Sequence, residues 1–256
     1  MARKIVITSG KGGVGKTTVS CFLASYIASR GKRVVLCDAD FGLNNVDVVT
    51  GVENLVTYDL VDVIEGRCRA VQALIKHPAY PNLHILTSSH SAPERYVSPQ
   101  ALKLVLESLA PKFDYIFIDC PAGIDDGFHR AVSVAEEALV VTTPHISALR
   151  DADKVVALLK SYRLKTVELI VNKVRGDLLV SGSCLTPKEI RELLHVNVLG
   201  IIPEEYAIYT GSIHDIHPAF KTLGNNLLLG KNKTYDVVKK YRGFVGGIRK
   251  FLKRSL

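Results

Sequence analysis

The chain has 256 residues, enough for one large domain with a sizeable core. Apolar residues make up 47% and charged residues 23%, an ordinary globular balance. No apolar run is long enough to span a membrane, and the apolar stretch at the N-terminus is too short for a signal peptide, so a cytoplasmic protein is expected. The net charge of +8 is concentrated, since Lys239, Lys240, Arg242, Arg249, Lys250, Lys253 and Arg254 lie in a C-terminal stretch without an acid. The rest of the chain is close to neutral, unlike a protein that coats nucleic acid over a whole face.

In chain order, short apolar runs alternate with helical patterns. Residues 4–9 read as a buried strand and 17–30 as a helix closed by Gly31. Residues 34–38, 84–87, 115–119, 139–143, 169–172 and 198–202 read as further strands. Helical patterns lie around 100–109, 151–162 and 187–194. This alternation predicts an α/β fold, a doubly wound and mainly parallel sheet with helices on both faces. Residues 225–233, rich in Asn, Lys and Leu, are the expected boundary between a body (1–233) and a C-terminal segment (234–256). Five scattered cysteines, an odd number without a CxxC pair, argue against a disulfide framework, a zinc site or an iron–sulfur cluster.

The first strand runs into Gly10-Lys11-Gly12-Gly13-Val14-Gly15-Lys16-Thr17-Thr18, which satisfies GxxxxGK[ST] between a predicted strand and a predicted helix. Glycines let backbone N–H groups from Gly12 to Thr18 turn toward phosphate oxygens, and the helix adds its positive end. Lys16 is expected to reach the β- and γ-phosphates and the Thr17 hydroxyl to hold Mg²⁺. Residues 34–38 end in Asp38-Ala39-Asp40, at the sheet edge where ligands of such folds sit. Asp40 is the candidate for orienting or deprotonating the attacking water, and Asp38 for the Mg²⁺ shell. The apolar run 115–119 ends in Asp119, a second carboxylate for the Mg²⁺ waters, with Gly123 freeing the loop that follows. Asn172-Lys173 and Pro203 follow two later strands and also read as ordinary turns.

Lys11, one residue after the first glycine, is unusual for such a loop. With it, the loop resembles that of the deviant Walker A ATPases of the ParA/MinD type. The resemblance implies ATP as ligand and a homodimer that sandwiches two nucleotides, with Lys11 acting in trans. It also implies that Asn172 and Pro203 bracket adenine.

From Tyr241 onward, Phe244, Val245, Ile248, Phe251 and Leu252 recur at helical spacing, with Arg249, Lys250 and Lys253 on the other side. A basic face opposite Phe, Ile and Leu is the composition of a helix that lies on an anionic membrane surface. A helix docked on its own body, or binding of nucleic acid, are the competing readings. Segments 40–47, 58–66, 121–124 and 149–153 resemble the septum-placing members of the family over nearly the whole chain. That resemblance implies an ATPase cycling on and off the membrane to regulate division-septum placement, with a septum inhibitor and an activating or topological protein as partners. It points to Asp151 and Asp153 as partner surface; both also read as acids stabilising a helix N-terminus. Residues 206–220 depart from the family pattern, which bears on the base-binding end. A flagellar-number relative and a DNA-partition ATPase are the alternatives, and the near-neutral body argues against DNA.

Overall fold

The computed structural model describes residues 1–41, 45–88, 97–210, 213 and 215–242. Among them, eight strands form one sheet: β1 (Arg3–Thr8), β2 (Val34–Asp38), β3 (Ile75–Lys76), β4 (Leu83–Leu86), β5 (Tyr115–Asp119), β6 (Glu137–Thr142), β7 (Thr166–Val174) and β8 (Val198–Pro203). Their order is β3-β4-β2-β5-β1-β6-β7-β8, parallel throughout except for the short antiparallel edge strand β3. The helices are α1 (Lys16–Ser29), α2 (Val46–Thr50), α3 (Leu60–Ile64), α4 (Pro99–Leu109), α5 (Asp126–Ser133), α6 (Ile146–Leu159), α7 (Gly176–Val180), α8 (Pro187–Leu194), α9 (Tyr206–Thr210) and α10 (Pro218–Leu229).

Two apolar clusters lie on the two faces of the sheet. In β1, Ile5 and Ile7 join the cluster under α1 and α10, whereas Val6 joins the one under α4, α5 and α6. Alternate side chains leave a strand on opposite faces, and both faces here are covered, so the strands are apolar without interruption. The chain leaves β1 at the centre of the sheet, between β5 and β6, where the direction of winding changes. The loop after β1 therefore opens at the crevice such folds use for ligands.

The structure departs from expectation near the C-terminus. Residues 225–229 belong to α10, whose Phe220 stacks on Phe22 of α1 with ring centroids 4.8 Å apart. Buried Asn226 donates to the carbonyls of Leu199 and Lys233, both at 2.7 Å, and so fastens the stretch expected to part body from tail. The chain then returns to the body, with Val237 buried and Lys239–Tyr241 forming a 3-10 turn. A Cβ added to Gly176 would come within 2.2 Å of the Val237 carbonyl oxygen and 2.7 Å of the Tyr241 ring. The expected membrane residues Phe244, Val245, Ile248, Arg249, Lys250, Phe251, Leu252 and Lys253 lie outside the described residues. No helix among the described residues is long and apolar enough to cross a membrane.

Candidate nucleotide site

The loop from Gly10 to Gly15 joins β1 to α1. Gly13 and Gly15 take φ of +77° and +88°, the left-handed region that side chains rarely adopt. Gly15 is the N-cap of α1 and offers no side-chain cap, which leaves the first-turn N–H groups available to a ligand.

Three side chains of α1 converge on one carboxylate. Lys16 Nζ lies 3.3 Å from Asp119 Oδ1, the Thr17 hydroxyl donates to Asp119 Oδ2 at 2.7 Å, and the Ser20 hydroxyl donates to Asp119 Oδ1 at 2.7 Å. Lys16 and Asp119 are only 7% and 1% exposed, so the pair is strongly desolvated. Burial lowers the affinity of Lys16 for its proton, but Asp119, Cys120 and Asp40 outweigh it and the net displacement is upward. The motif pointed to Lys16 and Thr17. Ser20 carries no motif signal; its place one turn after Lys16 on the same face is the only clue.

Asp38 and Asp119 end β2 and β5 as register partners. The Asp38 oxygens accept from the backbone N–H groups of Asp40 at 2.9 Å and Val46 at 3.3 Å. Burial, and then repulsion from Asp119, push the Asp38 carboxyl well above the usual carboxylate range despite those donors and Lys16. Two buried carboxylates beside a threonine hydroxyl suit a divalent cation, which relieves their repulsion. Among the described residues no group of three or more His, Cys, Asp or Glu could hold a metal alone. The Thr17 hydroxyl beside Asp119, itself beside Asp38, suits a Mg²⁺ that takes its other ligands from phosphate and solvent.

Asp40 stands half-buried just beyond β2, and its carbonyl accepts from the Ser88 hydroxyl at 3.2 Å. Gly123, at φ +97°, donates its N–H to the Ser9 carbonyl at 2.9 Å and ties the loop after β5 to the end of β1. Lys11 stands apart from this cluster; it is exposed, and its Nζ donates to the Ser147 hydroxyl in α6 at 3.3 Å. Ile146, next to Ser147, is 80% exposed.

Asn172 and Pro203 do come together, on a cavity of about 240 Å³ that also touches Gly15, Thr18, Phe22 and Val49. Lys173, and Ile208 and Tyr209 of α9, complete it, so the segment that departed from the family pattern supplies one wall. The Asn172 amide donates to the Val14 carbonyl at 2.8 Å and is thus engaged with the loop. Asp151 and Asp153 fall in the second turn of α6, which begins at Ile146, so neither acid stabilises the helix N-terminus. Asp153 is exposed, and Asp151 is half-buried with Lys154 3.3 Å away.

Comparison with known proteins agrees with this geometry. The family described as AAA domain matches residues 2–173. The septum site-determining protein MinD of Bacillus subtilis is 45% identical over 216 residues, covering 84% of this chain and 81% of that protein. The MinD of Thermotoga maritima is 41% identical over 245 residues, 95% of this chain and 89% of the relative. Among solved structures, a MinC:MinD cell division protein complex from Aquifex aeolicus superposes with a TM-score of 0.81 at 35% identity, covering 91% and 97% of the two chains. MinD of Pyrococcus horikoshii complexed with Mg-ADP gives 0.80 at 32% identity, covering 89% and 96%. A ParA family ATPase from Chlorobium tepidum, at 20% identity and a TM-score of 0.73, shares the fold. The chain belongs to the MinD family of septum-site-determining P-loop ATPases.

Proposed function

We propose that this chain hydrolyses ATP to ADP and phosphate, pairs with a second copy while ATP is bound, and in that state attaches to the cytoplasmic face of the cell membrane to regulate septum placement. The observation that carries the reading is the division of labour between the two lysines. Lys16 is buried on Asp119, whereas Lys11 is exposed at Ser147 and free of the acid pair. Lys16 and the N–H groups of Gly12, Gly13, Val14, Gly15, Thr17 and Thr18 bind the phosphates, and Lys11 reaches the partner copy's nucleotide. Thr17, with Asp38 and Asp119 through water, would hold Mg²⁺, which when bound would supply charge neutralisation at the phosphates. Asp40 orients the attacking water. Asn172 and Pro203 border the adenine.

The body extends through the turn at Lys239–Tyr241, and the basic segment that follows it is the membrane contact. Each Lys or Arg near an anionic surface contributes about 1 kcal/mol, so one tail binds reversibly. Two tails on one dimer bind with avidity, and dimerisation on ATP becomes the recruitment signal. Hydrolysis separates the copies and releases them. An Aquifex aeolicus neighbour was solved as a MinC:MinD complex, which supports a MinC-like inhibitor as one partner. A MinE-like or equivalent activating or topological protein is the other, with Asp151 and Asp153 on the surface that meets both.

Sedimentation with vesicles containing anionic lipid tests the reading. Wild-type protein is expected to pellet with ATP and not with ADP, and a chain ending at Arg242 with neither. Equal pelleting in ATP and ADP, or pelleting that survives the truncation, would sink the switch.

A further inference from the structure

Asn172 and Lys173 are consecutive in β7, yet both side chains reach the phosphate loop. Asn172 Nδ2 donates to the Val14 carbonyl and Lys173 Nζ to the Gly13 carbonyl, each at 2.8 Å. In a regular strand neighbouring side chains leave opposite faces. Here the pairing of β7 with β8 is irregular between Val171 and Val174, and Lys173 takes a φ of +54°. A lysine in the left-handed region is unfavourable and persists only where the surroundings hold it. The irregularity turns two successive side chains onto one loop.

A peptide unit is planar and its C=O and N–H point in opposite directions. Fixing the Gly13 carbonyl therefore fixes the N–H of Val14, and fixing the Val14 carbonyl fixes that of Gly15. Both N–H groups are turned away from β7, toward the concavity of the loop. The fit is close, because a Cβ on Gly15 would meet Asn172 Nδ2 at 2.4 Å.

Lys173 has a second contact. Its Nζ lies 5.8 Å from the centroid of the Tyr209 ring, whose hydroxyl donates to Glu204 Oε1 at 3.2 Å. Tyr209 lines the cavity beside Gly15 and Thr18 and is still 56% exposed, so it is a wall of the cavity and no part of the core.

We propose that Lys173 is a positioning residue that braces the phosphate loop, and that Tyr209, held by Lys173 and Glu204, is the wall on which the nucleotide base rests. One cation then couples the grip on phosphate to the grip on base. The inference rests on the reading of this site as a nucleotide site.

The test measures ATP affinity with Mg²⁺ by calorimetry, and loop amide hydrogen exchange, in Lys173→Met, Lys173→Arg, Tyr209→Leu and the double variant Lys173→Met/Tyr209→Leu. Lys173→Met is expected to weaken ATP about tenfold, the size of one hydrogen bond to a charged group. Lys173→Arg recovers most of the loss. Exchange at residues 12–18 quickens in Lys173→Met, while the sheet amides keep their protection. Tyr209→Leu weakens ATP without quickening the loop, and it costs less in the Lys173→Met background than alone. Unchanged affinity or unchanged loop exchange in Lys173→Met overturns the brace, and strict additivity of the two variants overturns the coupling. A wild-type chain that binds no ATP overturns the nucleotide reading itself and is thereby told apart.

Discussion

Asp38 and Asp119 sit side by side at the ends of two adjacent parallel strands, both buried, and repel each other there. Asp38 consequently holds its proton above the ordinary carboxylate range in the folded chain. The folded state binds this proton more tightly than the unfolded chain does. The stability linked to it is present in acid and is lost as pH rises from the usual carboxylate value through the raised one. The effect of Asp38→Asn should then shift toward stabilisation as pH rises from about 4 to about 8. Urea denaturation of both chains at the two pH values measures it, and a pH-independent difference refutes it.

The two loop lysines should respond oppositely to removal. Lys16→Met leaves Asp119 buried without its cation, a change that costs about 3–5 kcal/mol for a buried pair. It should also abolish nucleotide binding. Lys11→Ala removes an exposed side chain and should change stability by less than about 0.5 kcal/mol. It should keep ATP binding in the single chain and lose the ATP-dependent dimer. Melts and analytical ultracentrifugation separate the two outcomes.

Gly224 tests the packing of α10 on α1. An interior helical glycine normally gains about 1 kcal/mol on replacement by alanine. Here a Cβ would lie 2.1 Å from Tyr26 Cδ1, and the ring is held by its hydroxyl on Asn225 at 2.9 Å. Overpacking of this kind costs about 1–3 kcal/mol and outweighs the propensity gain. Gly224→Ala is expected to lower the urea midpoint, and adding Tyr26→Leu to recover part of it.

Two truncations should differ sharply. A chain ending at Arg242 keeps the contacts of Val237 and Tyr241 with Gly176 and should melt with wild type. A chain ending at Lys233 loses them and should be less stable by about 2 kcal/mol. Equal melting of the two would show that residues 234–242 contribute nothing to the body.

The centre of the fold was legible because its physics is local. Continuous apolar runs gave the parallel strands, and the glycine-rich loop pointed to Lys16 and Thr17, which the structure brings to Asp119. Helix α10 was not legible, since Asn225 and Asn226 fall in the stretch read as a boundary and Gly224 just before it is a poor helix former. What makes them helical is tertiary: Tyr26 needs a glycine opposite it, and Asn226 satisfies two distant carbonyls. Ser20 and Tyr209 were missed for a similar reason, as nothing in their neighbours' spacing places a serine on Asp119 or a tyrosine on the cavity. Asn172 lines the cavity with Pro203, and its further hydrogen bond to the loop was not legible, because the irregularity in β7 depends on pairing with β8.

Gly10 lies so close to α6 that a Cβ there would sit 2.3 Å from the Asp151 carbonyl oxygen. The first glycine of the loop is thus seated on the backbone of the helix that displays Asp153 to solvent. No compressible side chain lies between them to absorb a displacement. A protein that docked on the outside of α6 would therefore rest on a helix whose backbone touches the first glycine of the loop. By linkage any such coupling is reciprocal, so the factor by which nucleotide changes the partner's affinity equals the factor by which the partner changes the nucleotide's.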